Sequence, residues 1–285
     1  MSVTVDDLIR DARRRLSEAP HGPSTREALL LMARLLERDE AYILAHGEHQ
    51  LEASEIQRFQ ELLQRRLTGE PMAYVLGARE FYGRQFRVDS RVLIPRPETE
   101  HLVEAALEWD LPPEPQILDV GTGSGCLAVT LALEIPGARV TAVDISLGAL
   151  AVAQANAGSL GAAESVHALC IDLVCGLELE TFDLVVSNPP YIAPEEAPEL
   201  SPEILDYEPT TALFADSGGL AVLHRLLAAA AEFRPGCPLM VEIGADQRAA
   251  LTAAATDRGL EVRRVIHDYA GIARTLVLTR PPSKS

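Results

Sequence analysis

The sequence predicts an α/β protein: a seven-stranded, mostly parallel sheet with helices on both faces, preceded by a small all-helical domain and a β-hairpin linker. Two observations predict it. From Gln116 onward, short β-branched runs alternate with apolar segments of helical length, the order that builds parallel sheets. Before that point, residues 1–75 carry apolar residues at helical spacing only.

The helical part is expected over residues 1–75. Leu29, Leu30, Met32, Ala33, Leu35 and Leu36 form one apolar face, and Ile56, Phe59, Leu62, Leu63 and Leu67 another, as four or five packed helices require. The loop "APHGPST" offers Ser24 or Thr25 as a cap for the helix that follows. Arg13, Arg14, Arg15, Arg65 and Arg66 read as solvated helix faces. A hairpin linker is expected over residues 76–95, where Phe81, Tyr82, Phe86, Val88 and Val92 surround Gly83. The third domain spans residues 96–285. It opens with a helix from Pro97 to Trp109, whose first-turn acids suit the helix dipole. Strands follow at "ILDV", "RVTAVD" and "SVHALCI" with helices between them, then at "TFDLVVS" and, after a long polar loop and the helix "GGLAVLHRLLAAAAEF", at "PLMVEI". Two closing strands, "LEVRRVIH" and "RTLVLTR", are joined by so short a loop that they should run antiparallel. A short tail, "PPSKS", ends the sequence.

Composition narrows the function. Of 285 residues, 47% are hydrophobic and 24% charged, as in ordinary soluble proteins. No apolar run approaches the roughly 18–20 residues that span a bilayer. The first residues mix acids and arginines without an apolar core, so no secretory signal is read and a cytoplasmic location is expected. The four cysteines show no zinc-like spacing and are expected to be reduced and mostly buried. His46 and His49 stand three apart with no completing carboxylate pattern, so no metal is expected. The net charge is −17; residues 1–80 hold 11 basic and 14 acidic residues, and residues 81–285 hold 14 and 28. A phosphate-binding surface needs the opposite sign, which argues against a nucleic-acid partner.

The chemistry concentrates at strand ends. "ILDVGTGSGCLA" places Gly121, Thr122, Gly123, Ser124 and Gly125 between a strand and a helix, where glycines let a ligand approach the backbone and the helix offers free N–H groups. A dinucleotide fingerprint would need glycine where Cys126 stands, and the P-loop lysine is absent. The loop instead resembles that of class I S-adenosylmethionine-dependent methyltransferases. Asp144 closes the next strand, placed to accept hydrogen bonds from ribose hydroxyls or to cap the helix beginning near Ser146. Asp172, after the third strand, stands where such folds address an adenine.

After the fourth strand comes "SNPPY". An amide nitrogen is a poor nucleophile because its lone pair is delocalised into the carbonyl. An enzyme that alkylates one must hold both N–H hydrogens with acceptors and aim the nitrogen. The Asn188 oxygen and the Pro189 carbonyl are two such acceptors, Pro189 and Pro190 stiffen the loop, and Tyr191 offers a flat face to a planar group. No general base is required, since the nitrogen proton becomes acidic as positive charge develops. The tetrapeptide alone does not choose the substrate, because exocyclic amino groups of DNA bases pose the same problem.

The segment "GEPMAYVLGAREFYGRQFRVDSRVLIPRPETE", with "DVGTGSG", "SNPPYI", "YEPTTALFADSGGL", "VEIGADQ" and "DYAGIAR", resembles the bacterial protein-(glutamine-N5) methyltransferases of the HemK/PrmC family. The resemblance implies a Rossmann-like methyltransferase sheet, S-adenosyl-L-methionine as methyl donor and S-adenosyl-L-homocysteine as product. It implies class 1 peptide-chain release factors as protein substrate, methylated on the glutamine of their Gly-Gly-Gln motif, and a monomer. By the same resemblance Gly121 to Gly125 hold the methionine part and ribose edge, Asp144 the ribose, and Asn188 to Tyr191 the glutamine, with Asn188 also near the methyl group. The family often has an aromatic residue where this chain has Leu173, so an aliphatic cover for the adenine is expected there. Arg96 and Glu98 shape the pocket entrance or serve as ion-pair and cap. The helical domain is expected to grip the release factor. The alternatives are an amino-methyltransferase for DNA or RNA bases of the N6-adenine type, or one for a ribosomal protein glutamine; the acidic balance disfavours the first and "IPRPETE" the second.

Overall fold

The computed structural model describes residues 3–19 and 26–281. Ser24, Thr25 and the last four residues of the tail lie outside the described residues. The chain divides into two compact units, Met1–Ala78 with Ser201–Tyr207, and Arg79–Leu200 with Glu208–Ser285. The expected linker therefore groups largely with the larger unit, and one short segment from the long polar loop groups with the smaller.

The smaller unit contains α1 (Val5–Ser17), α2 (Glu27–Leu36), α3 (Glu40–Ala45), α4 (Ala53–Leu67) and α5 (Met72–Leu76). Helix α1 begins in a capping box in which Thr4 accepts from the Asp7 N–H while Asp7 accepts from the Thr4 N–H. The apolar faces meet around Leu16, Leu31, Met32, Phe59 and Leu63, all fully buried. One expectation fails here. Arg66 is not a solvated residue: it is buried, forks onto both Glu27 oxygens at 2.9 and 3.1 Å, and reaches Glu203 at 2.7 Å. A planar guanidinium with several donors can be buried only where carboxylates meet it, and the acids at 27 and 203 are too distant in sequence for spacing to reveal.

The hairpin is β1 (Ala78–Phe81) and β2 (Arg84–Arg87). A turn of 3₁₀ helix at Pro97–Thr99 leads into α6 (Glu100–Leu107). The alternating region follows as β3 (Gln116–Val120), α7 (Cys126–Glu134), β4 (Arg139–Asp144), α8 (Leu147–Leu160), β5 (Val166–Cys170) and β6 (Leu184–Ser187). The expected long polar loop is structured. It holds a 3₁₀ segment at Pro194–Glu199, α9 (Pro202–Tyr207) and α10 (Thr210–Leu213), helices too short for a periodic signal. Then come α11 (Ala221–Ala229), β7 (Pro238–Glu242), α12 (Arg248–Asp257), β8 (Glu261–His267) and β9 (Ala273–Thr279).

The seven-stranded sheet has the order β5-β4-β3-β6-β7-β9-β8. Strands β3 to β7 are parallel, and β9 inserts antiparallel between β7 and β8. Alternation along the strands sorts side chains to two cores. Ile117, Val140, Leu184 and Met240 face one with α6 to α8; Leu118, Val143, Val185 and Leu239 face the other with α11 and α12. Among the described residues no helix is long and apolar enough to cross a membrane.

Asn156, inside the alanine-rich α8, is fully buried and ties three segments together. Its Oδ1 accepts from the Arg87 N–H at 2.8 Å, and its Nδ2 donates to the Arg87 and Ser124 carbonyls at 3.0 and 2.8 Å. Replacing it with alanine strands backbone groups of the hairpin and the glycine loop. Asn156→Ala should lower the unfolding free energy by about 2 kcal/mol in a denaturant titration; an unchanged midpoint would show that the bonds carry no net stability.

Candidate active site

Register puts the functional residues in a row. Val120 aligns with Val143 on one side and Ser187 on the other, and Ser187 aligns with Val241. Gly121, Asp144, Asn188 and Glu242 thus stand at or one step past the aligned C-terminal ends of four neighbouring strands. The chain reverses its direction of travel across the sheet between β3 and β6, which opens a crevice there. The Ser187 hydroxyl donates to the Val120 carbonyl at 2.7 Å and fastens the two exits together.

A cavity of about 360 Å³ occupies this crevice. Gly121, Thr122, Gly123, Ser124, Asp144, Asp172, Leu173, Asn188 and Pro190 all line it. At Gly121 and Gly123, φ is +74° and +54°, and an added Cβ would meet no protein atom closer than 4.0 Å. The loop therefore borders open cavity, free for a ligand to approach. Gly125 has another reason: a Cβ there would come within 3.0 Å of Ala153, so it allows α7 to pack on α8 and is not on the cavity wall. Asp144 accepts from the Gly123 N–H at 3.0 Å and the Ser146 N–H at 2.9 Å, while Ser146 itself caps α8.

Leu173 sits at φ +52° and packs its side chain partly against the α11 core. Its neighbour Asp172 pairs with Arg225 of α11 at 2.7 Å, and both line the cavity. Cys126 also lines it, and burial pushes its thiol up to about 12, so it is no nucleophile at neutral pH. The cysteines otherwise depart from expectation, for Cys170 and Cys175 are exposed and only Cys237 is fully buried. Strand β5 is a sheet edge, which leaves its C-terminal end and the following turn open to solvent. Among the described residues no cluster of three or more His, Cys, Asp or Glu side chains has the arrangement to hold a metal.

Around "SNPPY" the structure adds partners that sequence spacing did not reveal. The Asn188 Nδ2 donates to Thr99 Oγ1 at 3.0 Å, Thr99 Oγ1 donates to Glu242 Oε2 at 2.6 Å, and the Tyr191 hydroxyl donates to Glu242 Oε1 at 3.1 Å. Thr99 and Glu242 are both buried. Burial raises the Glu242 carboxyl above its usual range, and its hydrogen bonds oppose that shift. Tyr191, expected to present its ring to the substrate, is not on the cavity wall; it buttresses the loop from Glu242, and burial raises its phenol. Pro189 is buried and likewise off the wall, whereas Phe214, Thr211 and Pro209 contribute to it. The Gln247 Nε2 donates to the Tyr191 carbonyl at 2.7 Å. Gly219 lies so close that a Cβ there would be 2.0 Å from that same oxygen. Arg96 lines the cavity and pairs with Glu208 at 2.5 Å, which also accepts from the Ile94 N–H. Glu98 does not line it. An acid inside the apolar run "PLMVEI" was the readable sign of Glu242.

Residues 7–77 match the PrmC N-terminal domain, and residues 99–227 match the methyltransferase small domain. The chain is 43% identical over 278 residues to the release factor glutamine methyltransferase of Koribacter versatilis (strain Ellin345), covering 93% of this chain and 95% of that protein. It is 45% identical over 251 residues to the protein of the same name from Bordetella pertussis (strain Tohama I), covering 87% and 92%. The chain belongs to the release factor glutamine methyltransferase family. Among solved structures, the hMettl16 catalytic domain in complex with the MAT2A 3'UTR hairpin 6 shares the fold, with a TM-score of 0.57, 16% identity, and coverage of 79% of this chain and 84% of that one.

A buried carboxylate lies beneath the glycine loop, off the cavity wall. Asp119 is buried, and one of its oxygens accepts from Thr122 Oγ1 at 2.6 Å and the Ala128 N–H at 3.2 Å. The other has no partner among the described residues. Burial pushes the carboxyl up from 3.8 to about 7, against those two hydrogen bonds. A raised carboxyl binds its proton more tightly folded than unfolded. Its contribution to stability is therefore complete below pH 3.8 and is lost as pH rises towards about 7. Asp119→Asn should flatten this part of the stability profile in ligand-free protein, measured by denaturation across that range. Parallel profiles for the two proteins would contradict the assignment.

Proposed function

We propose that this chain transfers a methyl group to the side-chain nitrogen, N5, of the glutamine in the Gly-Gly-Gln motif of class 1 peptide-chain release factors. The observation that carries the reading is the Asn188 amide, held at the wall of a cavity shared with the glycine loop, in a chain of this family. When bound, S-adenosyl-L-methionine supplies an electrophilic methyl group on a sulfonium and leaves as S-adenosyl-L-homocysteine. Gly121 to Ser124 border its path, Asp144 receives the ribose hydroxyls, and Asp172 with Leu173 borders the adenine.

The remaining work is positional. A substrate amide that donates a hydrogen to Asn188 Oδ1 has its nitrogen aimed and its developing positive charge stabilised. Its proton is then lost to solvent once the nitrogen has become cationic. Pro190 and Phe214 supply apolar wall to the cavity. A glutamine side chain flanked by two glycines suits a narrow cavity, because a bare backbone can approach the rim. The helical unit offers a surface for the rest of the release factor, and the chain acts as a monomer in the cytoplasm. The acidic balance, −17 overall, weighs against a DNA or RNA substrate.

Labelled S-adenosylmethionine with purified release factor, its Gly-Gly-Gln→Gly-Gly-Ala variant, ribosomal protein and plasmid DNA tests the substrate. Label confined to the native release factor is expected. Label in DNA or ribosomal protein, with none in the factor, overturns it. Asn188→Ala should lower turnover by about 100-fold or more while cofactor binding stays within a few-fold; normal turnover in that variant would refute the mechanism.

A further inference from the structure

The hydrogen bonds behind Asn188 impose an order of protons. Asparagine presents an oxygen on one side and an NH₂ on the other, and only the oxygen can receive a hydrogen from a substrate amide. The loop must therefore choose between two orientations of almost identical shape. Nothing in "SNPPY" itself makes that choice.

Two buried residues outside the tetrapeptide do. The Thr99 hydroxyl has a single hydrogen and lies 2.6 Å from Glu242 Oε2. In its ionised form the carboxyl only accepts, so that hydrogen is committed to it. Thr99 Oγ1 then has only lone pairs left, and the group 3.0 Å away on Asn188 must be the donor, Nδ2. The second Glu242 oxygen is occupied by the Tyr191 hydroxyl at 3.1 Å, which leaves the carboxylate accepting on both sides. Among the described residues the Asn188 oxygen takes no hydrogen bond, and Asn188 lines the cavity. With Thr99 only 2% and Glu242 only 1% exposed, water does not compete for these sites.

We propose that Glu242, acting through the Thr99 hydroxyl, is the positioning group that turns the Asn188 oxygen towards the cavity as the acceptor for the substrate amide. The inference rests on the glutamine reading for its substrate but not for its geometry. Neither residue touches the reacting atoms. Thr99 stands in the segment "IPRPETE" and Glu242 in "VEIGADQ", so two stretches 143 residues apart are joined by the 2.6 Å bond for this purpose.

The test uses the full chain with Thr99→Val, which keeps the shape but removes the acceptor, Thr99→Ser, which keeps the hydroxyl, and Glu242→Gln, which can no longer accept from both hydroxyls. The first readout needs no substrate: hydrogen exchange at the Asn188 side-chain NH₂, followed by NMR and assigned by the signal missing from Asn188→Asp. Slow exchange is expected in the native chain and in Thr99→Ser, and fast exchange in Thr99→Val and Glu242→Gln. The second readout is methyl transfer to the release factor. Thr99→Val should lower kcat by about 100-fold with cofactor affinity held, since a misplaced acceptor costs on that order. Thr99→Ser should restore most of it. A merely structural role would lower the melting temperature and cofactor affinity together and spare kcat. Slow exchange or native kcat in folded Thr99→Val overturns the proposal. A native chain that shows slow exchange but methylates no release factor overturns the substrate reading and leaves the positioning intact.

Discussion

The buried carboxylate of Glu242 is the constraint on which the site depends. It ends β7 beside the exit of β6, and its two oxygens receive hydroxyls from opposite directions, Thr99 and Tyr191. Burying a charged group is costly unless it is hydrogen-bonded, so both hydroxyls are held as firmly as the carboxylate holds them. Through them it fixes the start of α6, the side chain of Asn188 and the far end of the Asn-Pro-Pro-Tyr loop. Removing the carboxylate would release three segments at once.

The loop is secured from the other side by backbone contacts. Gln247 donates to the Tyr191 carbonyl, and Gly219 approaches the same oxygen more closely than any side chain would allow. Two prolines add their fixed φ. The result is an acceptor array set before the substrate arrives, the condition under which electrostatic stabilisation needs no reorganisation during reaction. A weak nucleophile such as an amide nitrogen gains most from that arrangement, since little else can be done to activate it.

Much of this was legible in the sequence. Strand and helix alternation from Gln116 gave the parallel sheet, and the glycine loop, Asp144 and Asn188 fall along one sheet edge because short strands of matched length end together. Other parts were not. Arg66 looked solvated because its carboxylate partners are 39 and 137 residues away, and only folding brings them together. Tyr191 and Gly125 belong to legible motifs, yet one buttresses the loop and the other admits a helix, roles that depend on what packs behind them. Glu242 and Thr99 sat inside recognisable segments, but a hydrogen-bond chain between distant stretches leaves no periodic trace. Asn156 was hidden in an alanine-rich helix for the same reason.

The most direct measurement is a crystal structure of the chain with S-adenosylhomocysteine and a release-factor peptide containing Gly-Gly-Gln. The glutamine nitrogen is expected within hydrogen-bond distance of Asn188 Oδ1, with Asn188 Nδ2 still on Thr99. A glutamine bound elsewhere, or an Asn188 amide turned so that its NH₂ meets the substrate, would contradict it.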